Sequence, residues 1–266
     1  MKDMITIRAS SLSALFDCPA RWSAIHLEKK FLPSTGKALL GKAVHASTAL
    51  YDQSVLDNQG LTVSEAAAAA VDAIRKPEED VIWLEDENKG DVEDIAVSLH
   101  IKYCHHIAPE QEYQAVEVTC DRLEITDLNI ALTGTTDRIR KTEEGFGISD
   151  IKTSKSIVAA DNSIKTAGHA YQMGVYELLA EHAFGVAMSS PAQIIGLNTA
   201  KTIASQRVAT AEIENAADLL IGNDGGMGVL EYAAKIVHSG LFFGNPKSMF
   251  CHKSYCPIYN TCKFRK

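Results

Sequence analysis

Gly134-Thr135-Thr136-Asp137-Arg138-Ile139, followed by Ile148-Ser149-Asp150-Ile151-Lys152-Thr153, falls in two stretches, 134–141 and 145–153, that read as β-strands joined by a turn at Glu143-Glu144. Residues two apart on a strand share a face, so Asp150 and Lys152 point the same way. A two-residue loop at Glu143-Glu144 sets Asp137 directly opposite Asp150. Like charges in that position destabilise a sheet, and a bound divalent cation resolves the conflict. A three-residue loop with Gly145 left-handed is the rival. It slips the register by one and sends the aspartates to opposite faces unless a bulge restores them.

The residue types suit one chemistry. Magnesium takes hard oxygen ligands, usually one or two carboxylates with water and substrate phosphate. Such an ion activates water and offsets charge developing on phosphorus. A lysine beside it can orient or deprotonate that water, or neutralise a phosphate oxygen. Alone, an Asp, a spacer and Asp-x-Lys are unspecific, because both residues are common on solvated strands.

Upstream of the hairpin, residues 113–120 and 123–132 read as strands, with Asp127-Leu128-Asn129 as a turn. Downstream come a helix over 167–184, strands over 193–199 and 206–211, and an interrupted helix over 216–237. The first third is helical: residues 10–30, 38–50, 65–75 (ended by Lys76-Pro77) and 91–106. This order predicts an α/β fold, a central mixed β-sheet flanked by helices with a helical N-terminal region. We read residues 1–266 as one domain: a helical part to about 110, a core over about 111–240, and a cysteine cluster over 251–262. The run Gly222-Asn223-Asp224-Gly225-Gly226-Met227-Gly228 lacks the Gly-Lys-Ser/Thr ending of a phosphate loop and reads as a flexible loop.

The 266 residues are 46% hydrophobic and 23% charged, with a formal net charge of −8. Bulk charge therefore gives no attraction for nucleic acid, and any such partner needs a local basic groove. No apolar run has the length of a signal peptide's core or a membrane span. A cytoplasmic, reducing setting is expected, so the six cysteines point to metal or burial before disulfides. Cys104 and Cys120 read as ordinary buried residues, since Cys104, His105 and His106 point in different directions on a helix.

Asp137 with Asp150-Ile151-Lys152 resembles the motif of PD-(D/E)XK nucleases. Three further segments resemble the RecB-like branch: Ser11-Leu12-Ser13 with Phe16-Asp17-Cys18-Pro19-Ala20-Arg21-Trp22, Gly41-Lys42-Ala43-Val44-His45 as G-x-x-x-H, and Gln172-Met173-Gly174-Val175-Tyr176 as Q-x-x-x-Y. They stand in family order. The resemblance implies a restriction-endonuclease-like core and a Mg2+- or Mn2+-dependent DNA nuclease, expected to be an exonuclease of recombination or end processing, with a helicase or recombination protein as a possible partner. It further implies that His45, Asp137, Asp150 and the Ile151 carbonyl ligate the metal, that Lys152 is the catalytic lysine, and that Gln172 and Tyr176 line the site and touch DNA. Glu117 and Arg138 are candidates beside them.

Cys18 with Cys251, Cys256 and Cys262 resembles the iron–sulfur variety of the branch, as in AddB-type and CRISPR-associated nucleases, which implies a [4Fe–4S] cluster. The family's first C-terminal gap is usually two residues; here it is four. Zn2+ is the alternative, since four cysteines, or three with one histidine, suit it and His252 lies close by. Two other functions stay open: a catalytically quiet DNA-binding or scaffold module, and a zinc-stabilised interaction domain.

Overall fold

A computed structural model describes residues 3–265. In chain order the elements are β1 (Ile5–Arg8), α1 (Leu12–Asp17), α2 (Pro19–His26), β2 (Ser34–Thr35), α3 (Gly36–Leu56), α4 (Val63–Arg75), β3 (Val81–Ile82) and α5 (Lys89–His106). There follow β4 (Tyr113–Ile125), β5 (Ile130–Thr142), β6 (Gly145–Ser154), α6 (Ala170–Phe184), β7 (Ala192–Asn198), β8 (Val208–Ile213) and α7 (Val229–Ser239). The expected mixed sheet flanked by helices is present. Six strands run in the order β1-β5-β6-β7-β8, with β4 also on β5, and β2 pairs β3 separately.

Both faces of the sheet are covered, so its inner strands are apolar on both sides. Ile148, Ala192 and Ile194 join a core with α6 and α7, whereas Ile151, Ile195 and Leu197 join one with α3, α4 and α5.

The first expected helix breaks in two at Cys18, which is extended at φ −150° and ψ 90°. Pro19 disfavours helical backbone at the residue before it and starts α2 at its first position. The strands expected over 113–120 and 123–132 are also corrected. β4 continues through a register shift between Cys120 and Leu123, an irregularity that lets a strand pass residues that do not pair. A 3-10 turn, Thr126–Leu128, with left-handed Asn129 (φ 51°), then leads into an unbroken β5. The glycine-rich run folds into a tight turn with Asn223 bridged to Gly226.

One edge of β5 is shared. β4 runs along the other edge, β1 pairs in parallel with Ile130 to Thr133, and β6 pairs with Arg138 to Thr142. Residues 134–137 pair with neither β1 nor β6. The sheet therefore has an opening beside Asp137.

Candidate active site

The hairpin takes the two-residue loop. Thr142 pairs Gly145 and Arg138 pairs Ser149, a register whose next step sets Asp137 opposite Asp150. Gly145 has φ +125° but sits in the ladder and not in the loop. The ladder ends there, and β6 turns to pair with β7 from Ser149 onward. The Ile151 N–H donates to Asp137 Oδ2 at 2.8 Å, and His45 Nδ1 lies 3.3 Å from the same oxygen.

His45 comes from α3. A Cβ on Gly41 would stand 2.9 Å from Thr153 Oγ1, so glycine there lets α3 approach the end of β6. One turn later, on the same face, His45 reaches Asp137. The G-x-x-x-H spacing thus has a packing cause. On α6, Gln172 Nε2 donates to Asp150 Oδ1 at 3.3 Å and to the Tyr176 hydroxyl at 3.0 Å. A Cβ on Gly134 would stand 2.8 Å from the Tyr176 ring, so that glycine leaves room for the aromatic.

Lys152 Nζ is 2.6 Å from Asp150 Oδ2, yet no donor is well directed at that buried oxygen. We take the contact as an ion pair of poor angle. Burial is the main influence on Asp150 and lifts its carboxyl to about 6; Lys152 opposes the shift and Asp137 adds to it. Burial also pushes Asp137 up, but His45, the Ile151 N–H and Lys152 together hold it below its ordinary value. For His45 burial favours the neutral ring, and the two aspartates outweigh it, raising its pKa.

Glu117 completes the cluster in an unexpected way. It stands mid-strand in β4 with φ +50°, a conformation that costs a non-glycine residue about 1–3 kcal/mol. Ligand atoms of His45, Glu117 and Asp137 lie within 4.8 Å of one another, the one such group among the described residues. That group differs from the set implied by resemblance: Glu117 is inside it, and Asp150 stands outside, held by Lys152 and Gln172. Three carboxylates, one of them with a buried oxygen short of a donor, and one imidazole suit a divalent cation of the hard-ligand kind. Ile151 places its side chain in the core on the α3 side.

Arg138 is fully buried, and its guanidinium is engaged by groups of the protein itself. Its Nε donates to Asp52 Oδ2 at 2.7 Å, its Nη1 to the Asp137 carbonyl at 2.7 Å and Glu117 Oε1 at 3.3 Å, and its Nη2 to Thr48 Oγ1 at 3.3 Å. Tyr103 donates to Asp52 at 2.6 Å and meets the Tyr113 hydroxyl at 3.0 Å. Burial raises the Asp52 carboxyl, while Arg138 and Tyr103 pull it back. Asp52, Thr48, Tyr103 and Tyr113 escaped the reading of the sequence. The signal was available: His45, Thr48 and Asp52 recur on one face of α3.

Cys18, Cys251, Cys256 and Cys262 line one small cavity of about 20 Å3 together with Arg21. The Asn245 N–H approaches Cys18 Sγ at 3.4 Å. Cys104 and Cys120 are buried elsewhere, Cys104 beside His100. Among the described residues no helix is long and apolar enough to cross a membrane.

The family model described as the PD-(D/E)XK nuclease superfamily matches residues 6–263. Among solved structures, "Crystal structure of SSO0001" is similar at 14% identity, covering 100% of this chain and 89% of that one with a TM-score of 0.45. No curated protein sequence matches.

Proposed function

The chain belongs to the PD-(D/E)XK nuclease superfamily, and on that premise we propose that it is a Mg2+- or Mn2+-dependent DNA exonuclease of recombination or end processing. The observation that carries this reading is the meeting of His45, Glu117 and Asp137 at the sheet opening, with the Asp150–Lys152 pair across the hairpin.

His45, Asp137, Asp150 and the Ile151 carbonyl would hold the cation, and Glu117 is an added ligand on the exposed side. When bound, the cation supplies activation of water and neutralisation of the phosphate oxygens. Lys152 orients the attacking water or screens a non-bridging oxygen, its ammonium held against Asp150. Gln172 fixes Asp150 through one oxygen, and Tyr176 fixes Gln172. Arg138 acts indirectly, holding the Asp137 backbone and Glu117 in place.

The test is purified protein on end-labelled linear and circular DNA with Mg2+, Mn2+ or EDTA. Metal-dependent loss of linear DNA with circular DNA spared is expected. No cleavage with either metal overturns the proposal, and nicking of circles removes the exonuclease part.

We also propose that Cys18, Cys251, Cys256 and Cys262 hold a structural [4Fe–4S] cluster. The shared cavity supports this. Anaerobically purified protein should carry about four irons per chain, and stoichiometric zinc without iron overturns the cluster.

A further inference from the structure

The opening in the sheet is also the mouth of a groove of about 390 Å3, lined by Arg8, Ser10, Thr119, Arg122, Thr135 and Tyr176 among others. No aspartate or glutamate lines it. The cysteine cavity, with Arg21 and Arg265, shares this in a chain of net charge −8. The cleft beside α3 and α4 carries Asp72, Glu78 and Glu79, the next Asp86, Glu87 and Asp91, and a third Asp91, Glu93 and Asp94.

The groove supplies donors in place of carboxylates. Thr119 and Thr135 face each other across β4 and β5 with hydroxyls 3.2 Å apart, open to solvent. Arg8, at the end of β1, is exposed and has no ion pair among those described. Its charge also reaches His26, which burial, Lys29, Arg8 and Arg21 together hold below its ordinary pKa. Arg122 is paired to Glu124 and contributes less.

Two links join the groove to the candidate site. Thr135 lies two residues before Asp137 on β5, about 7 Å along the strand. Tyr176 lines the groove and is joined through Gln172 to Asp150. A phosphate chain lying over Thr135 therefore runs toward the carboxylates.

We propose that this groove binds the phosphodiester backbone of the DNA strand beside the bond being cut, with Arg8 as the charged contact and Thr119, Thr135 and Ser10 as hydroxyl donors. This inference rests on the nuclease reading above. It places the local basic groove that so acidic a chain needs.

Two measurements test it separately from that reading. In a Lys152→Ala background, binding of fluorescein-labelled oligothymidylate is followed by anisotropy against salt. Arg8→Glu should weaken binding at least about tenfold, and Arg8→Ala should flatten the logarithmic salt slope by about 0.7, the value for one single-strand phosphate. Thr119→Val should weaken binding about fivefold, the effect of one lost hydrogen bond. Unchanged affinity and slope in both arginine variants overturn the proposal, whether or not the protein cleaves DNA. With Lys152 intact, kcat/KM is compared on an oligonucleotide and on bis(4-nitrophenyl) phosphate, which is too small to fill the groove. Arg8→Glu should lower the oligonucleotide-to-ester ratio at least about tenfold; an equal fall on both substrates overturns it. A wild-type protein that binds but cleaves nothing leaves the groove standing and removes the nuclease.

Discussion

Asp137 and Arg138 are neighbours on β5, yet they serve two buried charge clusters of opposite character. Around Arg138 the protein supplies every partner itself: Asp52, Thr48, a carbonyl and, through Asp52, two tyrosines. Around Asp137 negative charge is in excess, one Asp150 oxygen has no well-directed donor, and Glu117 keeps a strained backbone. A buried charge left short of partners is costly. A chain that satisfies one cluster so fully has the means to satisfy its neighbour. The contrast separates groups that hold the fold from groups arranged for something that arrives.

The sharpest way to break this contrast is to ask whether the open cluster matters to rate and not to stability. Lys152→Ala or Asp150→Asn should lower DNA cleavage about 10^3-fold or more, since each removes transition-state stabilisation, while the melting temperature stays near wild type. Near-normal cleavage in either variant rejects the site. The sealed cluster should respond in reverse. Arg138→Met leaves Asp52 buried without its charge partner, a change worth about 3–5 kcal/mol in urea unfolding. Asp52→Leu added to it should recover much of that loss.

Glu117 stands between the two clusters and sharpens the comparison. Glu117→Gly relieves the positive φ and should stabilise the fold by about 1 kcal/mol, while weakening Mn2+ binding in calorimetry. Stabilisation with unchanged Mn2+ affinity would make Glu117 part of the Arg138 network alone. The smallest effect concerns Glu177 on α6, a buried carboxylate outside both clusters. Burial lifts it from its ordinary 4.5 to about 7, while a hydrogen bond from the Ala217 N–H opposes the shift. Across that window the folded protein holds a proton that the unfolded chain releases, so this group's contribution to stability falls as pH rises. Glu177→Gln should match wild type near pH 5 and melt a few degrees higher near pH 8. An equal melting difference at both values refutes the assignment.

Much of the hairpin was legible because strand alternation puts Asp150 and Lys152 on one face, whereas its loop length stayed open between two and three residues until the register was seen. G-x-x-x-H and Q-x-x-x-Y were legible as helical turns. β1 was missed because Ile5–Arg8 is four residues and finds its partner far along the chain at Ile130 to Thr133. The break at Cys18 was announced by Pro19 and overridden by the apolar stripe on either side. Nothing local marks Glu117, whose left-handed backbone is set by tertiary packing. Arg138 was a candidate for the site, and its role in a buried network was hidden until α3 supplied Asp52.

The cavity of cysteines has a consequence for how the molecule is made. Cys18 leaves the ribosome roughly 10–50 s before Cys251 at the usual 5–20 residues per second. Through that interval Cys251, Cys256 and Cys262 are not yet made, and neither are the partners of three hydrogen bonds beside it: Ala20 N–H to the Phe243 carbonyl, the Asn245 side-chain amide to the Asp17 carbonyl, and the Ser248 hydroxyl to the Asp17 carboxylate. The hairpin and both sheet faces can be assembled while this corner is still open. If the four cysteines share a ligand as proposed, closure of the cavity has to wait for Cys262, and until then the Cys18 thiol is without the residues that line it.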